Sequence, residues 1–180
     1  KFHPNEQDEW LAGLKTSLIK SDNDFLFKKN GTTDPQRSNH FYYNEKNLEG
    51  YLQYAHAWQK VTLSAGVRME YMHTHNRLNA YQQQTTEENR RSKLQLFPNL
   101  SATYTIDEKN KVALFYSRRQ DKPRYEDLNP FEYLLDELSY WKGNPFLKPQ
   151  ISHKITLNYT RGNLSMNVYY NQLDDYFTAL

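Results

Sequence analysis

The chain has 180 residues, enough for one ordinary domain, with 37% hydrophobic and 15% aromatic residues, 15 of them tyrosine. Its 23 basic and 21 acidic residues are interspersed and leave a net charge of +2, so the basic stripe of a nucleic-acid binder is missing. Cysteine is absent, which excludes disulfide staples, thiolate metal sites and thiol nucleophiles.

A mean hydropathy of −0.99 would suit a disordered chain, but such chains are poor in aromatics. Polar and tyrosine-rich together points to many strands, each with one wet face and one apolar face. That is the composition of a barrel with a watery lumen. No apolar run approaches the roughly 20 residues that a membrane helix needs. The first residues, Lys1–Trp10, do not form a signal peptide, as expected of a mature or excised chain and equally of a cytoplasmic one.

In chain order, Leu11–Lys20 reads as a weak strand and Asn47–Trp58 as a tyrosine-rich one, with Tyr51 and Tyr54. From Val61 to Tyr71 the alternation is clear. Val61, Leu63, Ala65, Val67, Met69 and Tyr71 share one face, and Thr62, Ser64, Gly66, Arg68 and Glu70 share the other. Leu94–Ile106 alternates in the same way, with a bulge or local break expected at Pro98, which cannot donate to a ladder. Three further runs follow: Val112, Leu114 and Tyr116; Ile155, Leu157 and Tyr159; and Leu164, Met166, Val168 and Tyr170. About seven antiparallel strands in an up-and-down meander result.

The connections alternate in length. Trp58-Gln59-Lys60, Asp107–Asn110 and Arg161-Gly162-Asn163 are turn-like, whereas Ser21–Phe41, His73–Lys93 and Asp121–Gln150 are long and polar. Antiparallel strands so joined gather all short turns at one end, as outer-membrane barrels do. Period-two alternation alone fits a soluble β-sandwich equally well. The one-sided loops, together with Trp58, Tyr71, Tyr104, Tyr116, Tyr159 and Tyr170 near strand ends, favour the barrel. The fold class is therefore all-β, part of a transmembrane outer-membrane β-barrel. A soluble carbohydrate- or ligand-binding sandwich is the alternative.

Candidate chemistry is sparse. His73-Thr74-His75 could place two imidazoles on one side of an extended chain, but no third ligand is near and a solvated loop entry is the simpler account. Glu87-Glu88 and Asp174-Asp175 are adjacent carboxylates that point apart on an extended strand, and no nucleophile, nucleotide-binding or zinc-protease motif occurs. The chain is not expected to be an enzyme, nor to carry a metal or cofactor. Arg68, Glu70 and Lys154 fall on polar faces and are expected to line a lumen, either touching cargo or pairing with each other across strands. The connection Asp121–Gln150 carries Pro123, Pro130, Pro145 and Pro149 with many aromatics. Tyr125, Phe131, Tyr133, Tyr140 and Trp141 are its candidate ligand-binding residues; a self-packed lid, with Phe146 among its aromatics, is the other reading.

From Asn44 onward several segments carry a resemblance when taken in order. They are Asn44–Tyr51, Ala65–Tyr71, Leu96–Ser101 and Tyr116-Ser117-Arg118-Arg119. Pro123, Tyr125 and Asp127–Phe131 follow, then Lys142-Gly143-Asn144-Pro145 and Leu147-Lys148-Pro149. The chain resembles the outer-membrane β-barrel family of TonB-dependent-receptor-like proteins typical of Bacteroidetes, with residues 1–43 matching only loosely. The resemblance implies a bacterial outer-membrane location and an origin in a plugged barrel of about 22 strands. Its partners would be outer-membrane lipid, a plug domain and the TonB system of the parent protein, and an unidentified nutrient. On this reading residues 1–180 are a single barrel segment without the plug or remaining strands. An odd strand count and a C-terminal segment, Asp174–Leu180, that does not end on an aromatic fit that expectation. The excised chain, with two open edges and an apolar face, is expected to be a homo-oligomer or to need detergent, rather than a free monomer.

Overall fold

The computed structural model describes residues 2–5, 7–35, 38–80, 86–128, 132–134, 139–144 and 146–176. Its long strands are β2 (Asp8–Phe25), β5 (Asn39–Ala57), β6 (Val61–Ala80), β7 (Thr86–Thr105), β8 (Asn110–Asp121), β11 (Gln150–Arg161) and β12 (Leu164–Asp174). A short β1 (Phe2–Asn5) flanks β2, and a small hairpin, β3 (Lys28–Lys29) with β4 (Thr32–Thr33), lies between β2 and β5. The connection after β8 holds the one-turn helix α1 (Tyr125–Leu128) and a second hairpin, β9 (Glu132–Leu134) with β10 (Tyr140–Lys142).

One antiparallel sheet contains every long strand, in the order β1-β2-β5-β6-β7-β8-β11-β12. A soluble sandwich would need two such sheets packed face to face. Here the long strands form a single meander, and no pairing joins β12 back to β1 among the described residues.

The two faces differ in chemistry. One carries Leu14, Leu18, Leu48, Leu52, Val67, Met69, Leu96, Leu100, Leu114, Leu157 and Val168, all exposed, up to 85% at Leu14 and 68% at Leu18 and Val168. On β6 and β7 this apolar set runs from Val61 to Tyr71 and from Leu94 to Tyr104, within the roughly 9–11 residues a tilted strand needs to cross a bilayer. Water rejects so continuous an apolar surface, whereas hydrocarbon accepts it. The opposite face carries Glu49, Glu70, Gln95 and Phe97, all buried.

Aromatics bound the apolar band where the chemistry requires an amphipathic ring. Trp10 packs tilted against Tyr54 with ring centroids 4.6 Å apart, and His56 meets Trp58 edge to face at 4.2 Å, close to the short turns. At the same end the turns are stitched side by side. Ala57 N–H donates to Gln7 O (2.9 Å), Thr105 N–H to Lys60 O (2.8 Å) and Gly162 N–H to Lys109 O (2.8 Å). Gly162 opens the β11–β12 turn at φ +54°, the position where two-residue hairpins of the II′ type take glycine.

Three features depart from the sequence reading. The segments 21–41 and 73–93 are largely strand, because β2, β5, β6 and β7 run on past the apolar band, where their outer face turns polar. Pairing continues there, with the outer face in water and part of the inner face covered by the β8–β11 connection, so no apolar outer row marks the alternation. The β3–β4 hairpin turns on Asn30 and Gly31, both at positive φ, as type I′ turns require. Pro98 leaves the β6–β7 register unbroken, and the interruption lies on its other side, where β7–β8 pairing begins only at Asn99 opposite Ser117. Arg118 donates to Leu96 O across that seam, so residues 96 and 98 point their backbone groups into it and the missing N–H of Pro98 costs no ladder bond.

Gly13 is needed for a close approach. A Cβ built there would lie 2.5 Å from the Tyr51 ring, which stands over the glycine from the neighbouring strand. Gly13→Val should force the ring aside and destabilise the sheet by about 1–3 kcal/mol, the usual range for overpacking. Denaturant unfolding of the full-length protein is the measurement, and an unchanged midpoint would mean that Tyr51 moves freely.

Candidate functional site

The polar face is organised by register. Glu49 stands opposite Glu70, and Glu70 opposite Gln95, so two carboxylates and an amide share one row across β5, β6 and β7. Cations from three other places relieve the repulsion. Lys15 reaches Glu49 at 3.2 Å, and Arg68 bridges Glu49 (3.0 Å) and Glu70 (3.3 Å). Lys122, just beyond the end of β8, bridges Glu70 (2.7 Å) and Glu45 (3.1 Å). Tyr43 donates its hydroxyl to Glu45 at 2.6 Å, and Asn47 donates to Glu49 at 3.0 Å. Burial alone would lower the Lys122 ammonium, but hydrogen bonds and charge from Glu70 and Glu45 outweigh it and hold its pKa above the ordinary value. Phe97, 3% exposed, is covered by the guanidinium of Arg68 at 4.6 Å and approached by that of Arg118 at 5.6 Å.

Lys122 marks where the connection between β8 and β11 turns onto this face. Leu128 of α1, 8% exposed, packs with Phe41 and Tyr43, and Leu147 joins the same cluster. The two arms of the connection are tied together: Asn144 N–H donates to Asp127 O (2.7 Å), Leu147 N–H to Asn144 O (3.2 Å) and Phe146 N–H to Asn144 Oδ1 (2.9 Å). The segments around Asp127-Leu128 and Gly143-Asn144, far apart in sequence, thus meet as a neck. Between the connection and the strands lies a cleft of about 50 Å³, whose strand wall includes Thr74, Asn76, Asn89 and Arg91.

Arg68 and Glu70 lie on the polar face and join one ion-pair chain. Lys154 shares that face but sits apart, its ammonium 4.8 Å from the centre of the Tyr169 ring. Among the aromatics of the connection, Tyr140 and Trp141 lie on β10 and are exposed, as is Phe146. Tyr125 lies in α1 and Tyr133 in β9, but their side chains, like Phe131 altogether, lie outside the described residues. His73 and His75 are not at a loop entry. Both sit within β6, His73 hydrogen-bonded to Ser92 at 2.8 Å and His75 to Glu88, whose carboxyl is held below its usual range by Arg90 and then by His75. No cluster of three metal-ligating side chains occurs among the described residues. The sequence reading missed Lys122 and Arg91. Neither carries a local signal, since each acquires its neighbours through pairing or chain reversal.

An open antiparallel meander with short turns at one end, an apolar outer band edged by aromatics and a charged inner face defines a stretch of outer-membrane β-barrel wall. The chain belongs to the outer membrane protein beta-barrel family, whose model matches residues 3–179, including the N-terminal region that the sequence motifs covered only loosely. A search of curated proteins finds no match. Among solved structures, the ferric yersiniabactin uptake receptor FyuA from Yersinia pestis superposes with a TM-score of 0.69 at 11% identity, over 97% of this chain and 27% of that receptor. That likeness is one of fold, an outer-membrane β-barrel as the family model also gives, and this chain spans about a quarter of the receptor's length.

Proposed function

We propose that this chain is one arc of the wall of an outer-membrane nutrient transporter, with the polar face lining the lumen. The β8–β11 connection covers that face on the extracellular side. The observation that carries the reading is the division of the sheet: one face of exposed Leu, Val and Met, and one of buried charge held in register. On this reading Arg68, Glu70 and Lys154 are lumen residues. Tyr140 and Trp141, exposed on the β10 hairpin, are the described aromatics best placed to meet cargo. A plug domain and the TonB system would act through other parts of the same protein, as befits a chain covering 27% of a solved receptor.

The test is growth on a panel of scarce nutrients. A strain lacking the full-length protein should show a deficit for at least one nutrient, restored by the protein only when TonB is functional. Equal growth on every nutrient, or restoration without TonB, would remove the transport reading and leave a structural barrel.

A further inference from the structure

Thr74 stands opposite Arg91 and Asn76 opposite Asn89 on β6 and β7. Side chains of directly paired residues leave the backbone about 4.5–5.5 Å apart, and all four project to the face that carries Glu70. They lie beyond the apolar band, towards the long connections, and line the cleft of about 50 Å³ that Leu128 and Leu147 close from the other side. One water-sized group occupies about 10–15 Å³ of such space, so the cleft takes a group larger than water.

Charge decides what that group is. In the neighbouring chain of ion pairs, Lys15, Arg68 and Lys122 are matched by Glu45, Glu49 and Glu70, which leaves no carboxylate over. Arg91, half-buried in the cleft wall, has no side-chain hydrogen bond or ion pair with any described residue. Asn76 is only 8% exposed, and its Oδ1 is buried without a hydrogen-bond partner among the described residues. A guanidinium presents a planar fork of donors that fits an oxyanion. The buried Asn76 Oδ1 is an acceptor, so the desolvation cost it carries is relieved by a donor beside the oxyanion, a hydroxyl or an amine, while the amide Nδ2 is the group that can donate to the oxyanion itself.

We propose that Arg91, Asn89, Thr74 and Asn76 form a binding site for a compact oxyanion group, carboxylate or phosphate, of a small molecule entering from the long-connection side. Arg91 grips the oxyanion. The Asn76 amide offers a donor and an acceptor, so a hydroxyl or amine beside the oxyanion also finds a partner. The role in uptake rests on the transport reading, but the binding itself does not, and the two fail separately.

The test is calorimetric titration of the full-length protein in detergent with succinate, with inorganic phosphate and with glycerol as the neutral control. At least one oxyanion should bind and glycerol should not, and which of the two binds names the carboxylate or phosphate source. Arg91→Gln should weaken binding by about 10- to 100-fold, the range for a hydrogen-bonded charged group. Asn76→Leu, which leaves the charge unchanged, should also weaken it and carries the test if the arginine variant fails to assemble. Lys93→Gln, an exposed neighbour on the same strand, should leave binding unchanged. Absence of oxyanion binding by the wild type, or binding by assembled Arg91→Gln or Asn76→Leu equal to wild type, overturns the proposal.

Discussion

An arginine at Val67 or Leu157 is expected to cost the assembled barrel about 2–4 kcal/mol, whereas an arginine at Thr62 or Thr156 should cost little. Val67 lies near the middle of the apolar stretch Val61–Tyr71, and Leu157 near the middle of Ile155–Tyr159, with each side chain 40% and 47% exposed on the apolar face. Thr62 and Thr156 stand one residue from the apolar row on the opposite face of the same strands. The penalty arises because a guanidinium near the bilayer midplane loses its hydration and finds no partner among Leu, Val and Met. Denaturant unfolding of the full-length protein in liposomes measures the difference. Equal sensitivity at the two faces would mean that no hydrocarbon covers the apolar one, and the assignment of faces would fall.

The same asymmetry explains what could be read from the sequence. Where lipid lies on one side and a polar interior on the other, as along Val61–Tyr71 and Leu94–Tyr104, the chain must alternate, and the strands declare themselves. Beyond Tyr71 the strand continues through His73, Thr74, His75 and Asn76 to Ala80, but its outer face turns polar there. The backbone ladder persists without an apolar outer row, so strand looks like loop. Asn30-Gly31 did carry a hairpin signal, hidden inside a segment that reads as one long connection. Pro98 signalled a real interruption, on the β8 side of its strand rather than the β6 side.

The site was legible only in part, for a related reason. Arg68 and Glu70 stood out because they alternate with apolar residues, whereas Glu45, Glu49 and Lys15 acquire meaning only through the register that aligns β2, β5 and β6. Lys122 requires the chain to turn off the end of β8 as well, since its ammonium must reach across β7 before it meets Glu70 on β6. The aromatics of that connection suggested recognition through exposure. Tyr140 and Trp141 are indeed exposed, while the docking is done by Leu128, Leu147 and Lys122, which attracted no notice as a group.

Glu70→Ala should destabilise the protein by about 3–5 kcal/mol, towards the lower end, and should release the β8–β11 connection. Glu70 has a side chain only 4% exposed; it accepts a hydrogen bond from Arg68 at 3.3 Å and forms an ion pair with Lys122 at 2.7 Å. Removing it leaves two half-buried cations, each with one remaining partner: Glu49 for Arg68 at 3.0 Å, and Glu45 for Lys122 at 3.1 Å. Those partners limit the loss. Lys154→Met gives a contrast, since its ammonium is exposed over one ring and its loss should cost no more than about 1 kcal/mol. The pH dependence follows from Lys122, whose pKa is held above 10.5 despite burial because Glu70 and Glu45 favour its charged form. A base raised in this way contributes stability that is fully present below its unfolded pKa and is lost as pH rises through the folded value. Limited proteolysis of residues 122–149 should therefore find the wild type protected at neutral pH and increasingly cut above about pH 10.5, with Glu70→Ala cut at both. If Glu70→Ala is protected at neutral pH and keeps the wild-type unfolding midpoint, the connection is held by Leu128 and Leu147 alone and the ion pairs contribute nothing to its docking.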